Sequence, residues 1–268
     1  NAAGALAFGA AAAWDAAGAE RRRGERALVR EAQLRSGDRV RVQLGDGRAT
    51  TKLLPVDAKW VSKRLESWGR SEGLPMLSPE KAAVLRGIVA DAAPRAVVHV
   101  GSLLGYSTIQ MCGALPDGGA GCRLVTLERD PLMFACAKRF VHQARLDGLA
   151  SRLHEVPHAA DVVLGNAVDR AAVARAAERA MAGAGTDGVD MLYLSGTPSE
   201  YGAYLAAASP FLRSGSVVVA DHALVAERVM GGFLDELRDE TRFATLDMVD
   251  CPLEWSQDRD AFAVAVVQ

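Results

Sequence analysis

Two glycines, Gly101 and Gly105, separate the apolar run Ala96–Val100 from a stretch that reads as helix from Tyr106 onward. A strand-to-helix turn needs glycine where the backbone bends sharply or lets a ligand come close. The N–H groups that open the following helix then face whatever binds there. One strand later, the run CRLVTLE ends in Glu128, an acidic side chain placed to accept hydrogen bonds from ribose hydroxyls. Turn and carboxylate together point to an adenosine-containing ligand. Further along, Asp221-His222 closes another apolar run, and Glu254 sits between the last two predicted strands. Such groups move protons or hold cations.

The elements that must position these residues alternate. The pattern predicts helices at 79–92, 106–115, 131–147, 160–183, 199–208 and 225–238. Pro79 and Glu80 mark the start of the first. Between them fall strands at 96–100, 123–127, 152–156, 189–194 and 217–220, and two more near 243–249 and 261–267 close the chain. Repeated strand–helix units imply an α/β fold with a mostly parallel sheet and helices on both faces. The final pair has no helix between its strands and implies an antiparallel edge.

Ahead of this lies a predicted extension, residues 1–56, with the α/β domain taking 57–268. Residues 1–36 read as an Ala/Arg-rich helix. Residues 38–56 read as a β-hairpin around Gly45-Asp46-Gly47. The chain opens on Asn1, so a preceding segment, cleaved or simply not included, is expected. Ala2 to Trp14 is uncharged and too short to span a bilayer, which takes about 20 residues, and Arg21, Arg22 and Arg23 follow. Three readings stay open: the end of a membrane span, the remnant of an organelle-targeting region, or a helix packed on a partner. The expected location is intracellular, cytoplasmic or organellar, with membrane or protein-complex attachment through residues 1–56.

Composition narrows the classes. Of 268 residues, 31 are basic and 33 acidic, a net charge of -2, which leaves no electrostatic footprint for nucleic acid. Cys112, Cys122, Cys136 and Cys251 form no CxxC pair and no zinc spacing, and read as small buried hydrophobes in a reducing compartment.

From Met76 to the C-terminus the chain resembles the catechol and caffeoyl-CoA O-methyltransferases. MLSPEKAAVL resembles the helix that leads into that family's sheet, HVGSLLGYST its cofactor turn, and TLERDP its ribose-binding segment. VDMLYLSGTPSEY and VVVADHALV resemble its fourth and fifth strands, and LEW a Leu-Glu-Tyr segment near the substrate. The resemblance implies a Rossmann-like, seven-stranded methyltransferase sheet with S-adenosylmethionine at the carboxyl ends of the strands. It implies that Met76, Gly101, Ser102, Gly105, Tyr106, Ser107 and Glu128 bind that cofactor.

The chain also departs from the family. There a divalent metal binds two vicinal oxygens of a catechol, and a lysine removes a proton. The metal-binding Asp of the fourth strand is here Ser195, and the lysine is Pro198. The Asp-Asn pair of the fifth strand is Asp221-His222, which leaves Asp221 as the retained metal ligand. An acidic residue of the first strand is His99, the aromatic of the glycine turn is Leu103, and polar residues beside the adenine are expected at Ala159 and Ala160. Glu254 matches the acidic residue that meets the substrate hydroxyl, and His222 offers a substitute base. A hydrolase reading of Ser195, Asp221 and His222 lacks an elbow-type nucleophile motif. The implied activity is O-methyl transfer to a small phenolic acceptor without the usual Mg²⁺ site. The alternative is a catalytically degenerate subunit with a binding or structural role in a larger assembly.

Overall fold

A computed structural model describes residues 39–43, 49–53, 58–116, 121–146 and 158–268. The hairpin is present: β1 (Arg39–Gln43) pairs antiparallel with β2 (Ala49–Leu53). The predicted helix at 1–36 and strand at 152–156 lie outside the described residues, as does the expected boundary at 56/57.

Two helices lead into the main sheet, α1 (Ala58–Glu72) and α2 (Pro79–Ala92). Ser78 caps α2 by accepting from the Lys81 N–H, with proline at the first position, the arrangement that satisfies an orphan donor and presets φ. The order then runs β3 (Ala96–Val100), α3 (Tyr106–Cys112), β4 (Cys122–Glu128), α4 (Pro131–Gln143), β5 (His158–Leu164), α5 (Arg170–Ala184) and β6 (Val189–Leu194). A 3₁₀ turn, Pro198–Glu200, precedes α6 (Tyr201–Ala208). Then come β7 (Leu212–Ala220), α7 (Glu227–Leu237), β8 (Phe243–Pro252) and β9 (Arg259–Val267).

The seven strands are ordered β5-β4-β3-β6-β7-β9-β8. β3, β4, β5, β6 and β7 run parallel, and β9 joins β7 antiparallel with β8 at the edge. Strands covered on both faces read as continuous apolar runs, and β3 is buried along its whole length. Alternate residues feed two cores. Val97 faces a layer with Leu65, Leu85 and Phe140, while Val98 and Val100 face one with the alanines of α5, Leu205 and Phe233. Small side chains at Ala172, Ala176 and Ala180 let α5 lie close on the sheet.

One prediction fails here. Residues 160–164 are strand, not the start of a helix. Val162 and Val163 suit a pleated surface, and the helix begins only after Gly165 and Asn166, where Asp169 caps it. Ala159 and Ala160 therefore pair inside the sheet with Arg123 and Leu124. The carboxyl end of β5 is instead Leu164, followed by Gly165-Asn166.

Candidate active site

Strand order reverses between β3 and β6, because β4 and β5 lie on one side and β7 on the other. Ligands of open α/β sheets bind outside the carboxyl ends of the strands at such a switch point. Gly101 leaves β3 there with φ 89°. A Cβ at Gly101 would stand 2.8 Å from the Gly196 Cα and the Ser195 carbonyl carbon, so the chain after β6 presses directly on the turn. Leu103 also has positive φ, 47°, an uphill conformation for a residue with a side chain.

Glu128 holds that turn in shape. Its Oε2 accepts from the Ser102 N–H (2.9 Å), the Ser102 hydroxyl (3.1 Å) and the Leu103 N–H (2.9 Å). Among the described residues its Oε1 takes one bond, from the Asp130 N–H, where a carboxylate oxygen can take two. The expected ribose acceptor thus also braces the glycine turn, and keeps acceptor capacity on Oε1. Ser107 lies buried in the first turn of α3. Tyr106 points elsewhere: its hydroxyl donates to Glu66 of α1 at 2.7 Å, and burial with that contact pushes its pKa up. Met76 is buried beside Gly69, against which Trp255 also packs, and the Trp255 indole donates to the Leu74 carbonyl.

His99 and Ser195, two separate departures from the family pattern, are partners. His99 Nε2 lies 2.9 Å from the Ser195 oxygen, and Nδ1 within 3.3 Å of the Thr108 and Thr126 hydroxyls. The ring stacks on Tyr193. The Ser195 hydroxyl lies 2.8 Å from the Gly101 carbonyl oxygen, its acceptor, so it serves the turn and not the carboxylates beyond. Complete burial lowers the His99 pKa to about 3, although the Gly101 backbone and Asp221 pull the other way. An unfolded histidine titrates near 6.5, so below that pH the unfolded chain binds the extra proton. Stability is therefore expected to fall as pH drops below about 6.5, with a His99 contribution approaching about 1.4 kcal/mol per pH unit. Urea denaturation between about pH 6.5 and 5 should show a shallower slope for His99→Gln. Equal slopes would refute it.

At the carboxyl end of β7 the structure gathers a second group. Asp221, His222, Glu254 and Asp260 each bring a ligand atom to within 4.8 Å of the others. Lys81 of α2, fully buried, stands among the three carboxylates. Its Nζ is 2.7 Å from Asp221 Oδ1, 2.6 Å from Glu254 Oε1 and 2.7 Å from Asp260 Oδ2. Burial alone would lower the lysine pKa, and the carboxylates more than reverse this, so it stays charged. The Tyr193 hydroxyl donates to Asp221 Oδ2, and the His222 N–H to Asp221 Oδ1. Asp260 Oδ1 accepts from the Leu224 and Val225 N–H groups and so anchors the loop that carries His222.

His222 has φ 61°, and its Nε2 lies 3.3 Å from Glu254 Oε1. Burial opposes the charge on both. Asp221 and Glu254 nonetheless raise His222 to about 9, while the His222 ring and the Lys81 ammonium draw Glu254 down to about 2. At neutral pH the ring is a hydrogen-bond donor and the carboxylate an acceptor. Sequence reasoning brought together Asp221, His222 and Glu254, and missed Lys81 and Asp260. Pro198 opens the 3₁₀ turn after β6 and carries no ionisable group.

Glycine turn, switch point, acidic residue at the end of β4 and antiparallel closing pair define the class I methyltransferase fold. Solved structures that share it include an O-methyltransferase from Bacillus cereus in complex with SAH (TM-score 0.60, 19% identity, 78% of this chain and 91% of that one) and TomG from Streptomyces achromogenes, in complex with SAM (TM-score 0.56, 21% identity, 78% and 89%). No family model matches the chain. It is 30% identical over 177 residues to the human Transmembrane O-methyltransferase, covering 65% of this chain and 55% of that protein. It is 30% identical over 160 residues to the Catechol O-methyltransferase of Niastella koreensis, covering 59% and 63%. The chain is thus similar in sequence to proteins named as O-methyltransferases and shares the class I methyltransferase fold. It spans about half the length of the human relative. Among the described residues, no helix is long and apolar enough to cross a membrane.

Proposed function

We propose that the chain binds S-adenosylmethionine at the β3–β6 switch point and transfers its methyl group to the hydroxyl of a small phenolic acceptor. The observation that carries this reading is the Glu128 carboxylate bound to the N–H groups of the Gly101–Gly105 turn, with acceptor capacity left on Oε1. When bound, the cofactor would supply an electrophilic methyl on sulfur. Gly101, Ser102, Gly105, Tyr106 and Ser107 would border its methionine end, Glu128 its ribose, and Met76 the adjoining wall. Tyr106 would act there through its place in the turn, since its hydroxyl is held by Glu66.

Divalent metal does not fit this donor set, because one oxygen of each of its three carboxylates is already bonded to an ammonium. His222 and Glu254 would receive the acceptor instead. The ring N–H donates to the acceptor oxygen, and the Glu254 carboxylate accepts its hydrogen. An oxygen that has taken up a methyl group holds its proton weakly, so even a carboxylate kept low can accept it. Holding the oxygen in line is the larger contribution.

A second reading, a methyltransferase-fold subunit without turnover, is favoured by the replacement of the family's lysine at Pro198 and the turning of Ser195 toward His99. In either reading, residues 1–56 offer a route of attachment to a membrane or protein complex. Calorimetric titration of the full chain with S-adenosylmethionine, with and without Mg²⁺, tests the first. Micromolar binding that ignores Mg²⁺ and weakens strongly in Glu128→Ala is expected, followed by transfer to phenols. Binding without transfer to any phenol selects the second reading. No binding removes the first altogether.

A further inference from the structure

We propose that Lys81 is the resident cation of this site, and that it converts a metal-chelating acceptor site into one for acceptors bearing a single hydroxyl. The second half rests on the methyl-transfer reading above. An ammonium has three hydrogens, and here three carboxylate oxygens from three segments each stand 2.6 or 2.7 Å from it. Asp221 follows β7, Glu254 lies between β8 and β9, and Asp260 belongs to β9. The cation arrives through the core side, from the same buried stripe of α2 as Leu85 and Val89, with the Phe262 ring 5.5 Å away.

A divalent ion would have to compete for Asp221 Oδ1 and Glu254 Oε1 with a charge already seated on both. It would gain little elsewhere. Ser195 is committed to His99 and the Gly101 carbonyl, and His222 offers nitrogen where Mg²⁺ prefers oxygen.

The consequence is a change of acceptor. Two vicinal hydroxyls are chelated by an ion that keeps open coordination positions. Lys81 has none open, since its hydrogens are spent and it is wholly buried. What reaches solvent is the His222–Glu254 pair, with side chains 30% and 10% exposed and 3.3 Å apart. One donor beside one acceptor matches one hydroxyl group.

Mn²⁺, followed by paramagnetic resonance and calorimetry, is the probe for the first half. The wild-type chain is expected to show no site of micromolar affinity at this cluster, and Lys81→Met to acquire one that Asp221→Asn abolishes. A wild-type site lost in Asp221→Asn would overturn the proposal. That comparison decides even if Lys81→Met fails to fold. For the second half, methyl transfer from S-adenosylmethionine is compared for phenol and catechol, with and without EDTA. Transfer to phenol that persists in EDTA is expected. A preference for catechol that drops by an order of magnitude in EDTA overturns it. Absence of transfer to either acceptor removes the acceptor half along with the methyl-transfer reading, while the Mn²⁺ titration still judges Lys81.

Discussion

Lys81→Met is expected to lower the free energy of unfolding by about 3–5 kcal/mol, because it strands three carboxylates that share one buried cation. Asp221 and Asp260 are 1% and 0% exposed, so neither can turn to water without moving the strand that carries it. The attraction each made with the ammonium had offset its loss of hydration. Without that partner, the desolvation cost remains and the carboxylates repel one another. Methionine fills a similar volume, so a packing defect contributes little. Urea denaturation measures the loss. A second variant identifies its cause: Lys81→Met with Asp260→Asn should recover part of it, since one stranded charge is gone. A recovery equal to what Asp260→Asn does in the wild-type background would mean the two residues are not coupled, and would defeat the argument.

The visibility of this cluster in the sequence differs by residue, for physical reasons. Asp221, Glu254 and Lys81 all lie in segments that carry the family resemblance, which implied a role for the first two and none for the lysine. Lys81 left a different signal. It shares the buried stripe of α2 with Leu85 and Val89, and a lysine on an apolar stripe requires a partner in the core. The partners are more than a hundred residues away, brought in by the pairing of β9 with β7 and β8, and no local pattern announces them. His99 and Ser195 show the same limit. Each was legible as a substitution, but their hydrogen bond exists only because β3 and β6 are neighbours. The elements themselves were far more legible. β3, β6 and α2 follow from short apolar runs or a Pro-led helix start with clear ends. The error at 160–164 came from an alanine-rich stretch whose two valines were outvoted by the helix formers around them.

Gly101→Ala is expected to cost about 2–5 kcal/mol of stability, summing left-handed strain on an L-residue with overpacking. It should also abolish cofactor binding. The new methyl group would sit 2.8 Å from the Gly196 N and Cα and the Ser195 carbonyl carbon, all main-chain atoms that no rotamer change can move aside. Relief requires separating the ends of β3 and β6. That separation would break the Ser195 hydrogen bonds to the Gly101 carbonyl and to His99, and would carry Ser102 and Leu103 away from Glu128. Gly73→Ala supplies the reference. It too has positive φ, 60°, but nothing lies within 4 Å of its added carbon, so it should cost about 1 kcal/mol and leave binding intact. The excess of Gly101→Ala over Gly73→Ala measures the close approach itself. If the two variants lose equal stability and both still bind S-adenosylmethionine, the contact between the turn and the loop after β6 does not shape the cofactor site. If Gly101→Ala alone loses binding, then glycine is required there by the approach of Gly196, and the switch point is the place where fold and ligand meet.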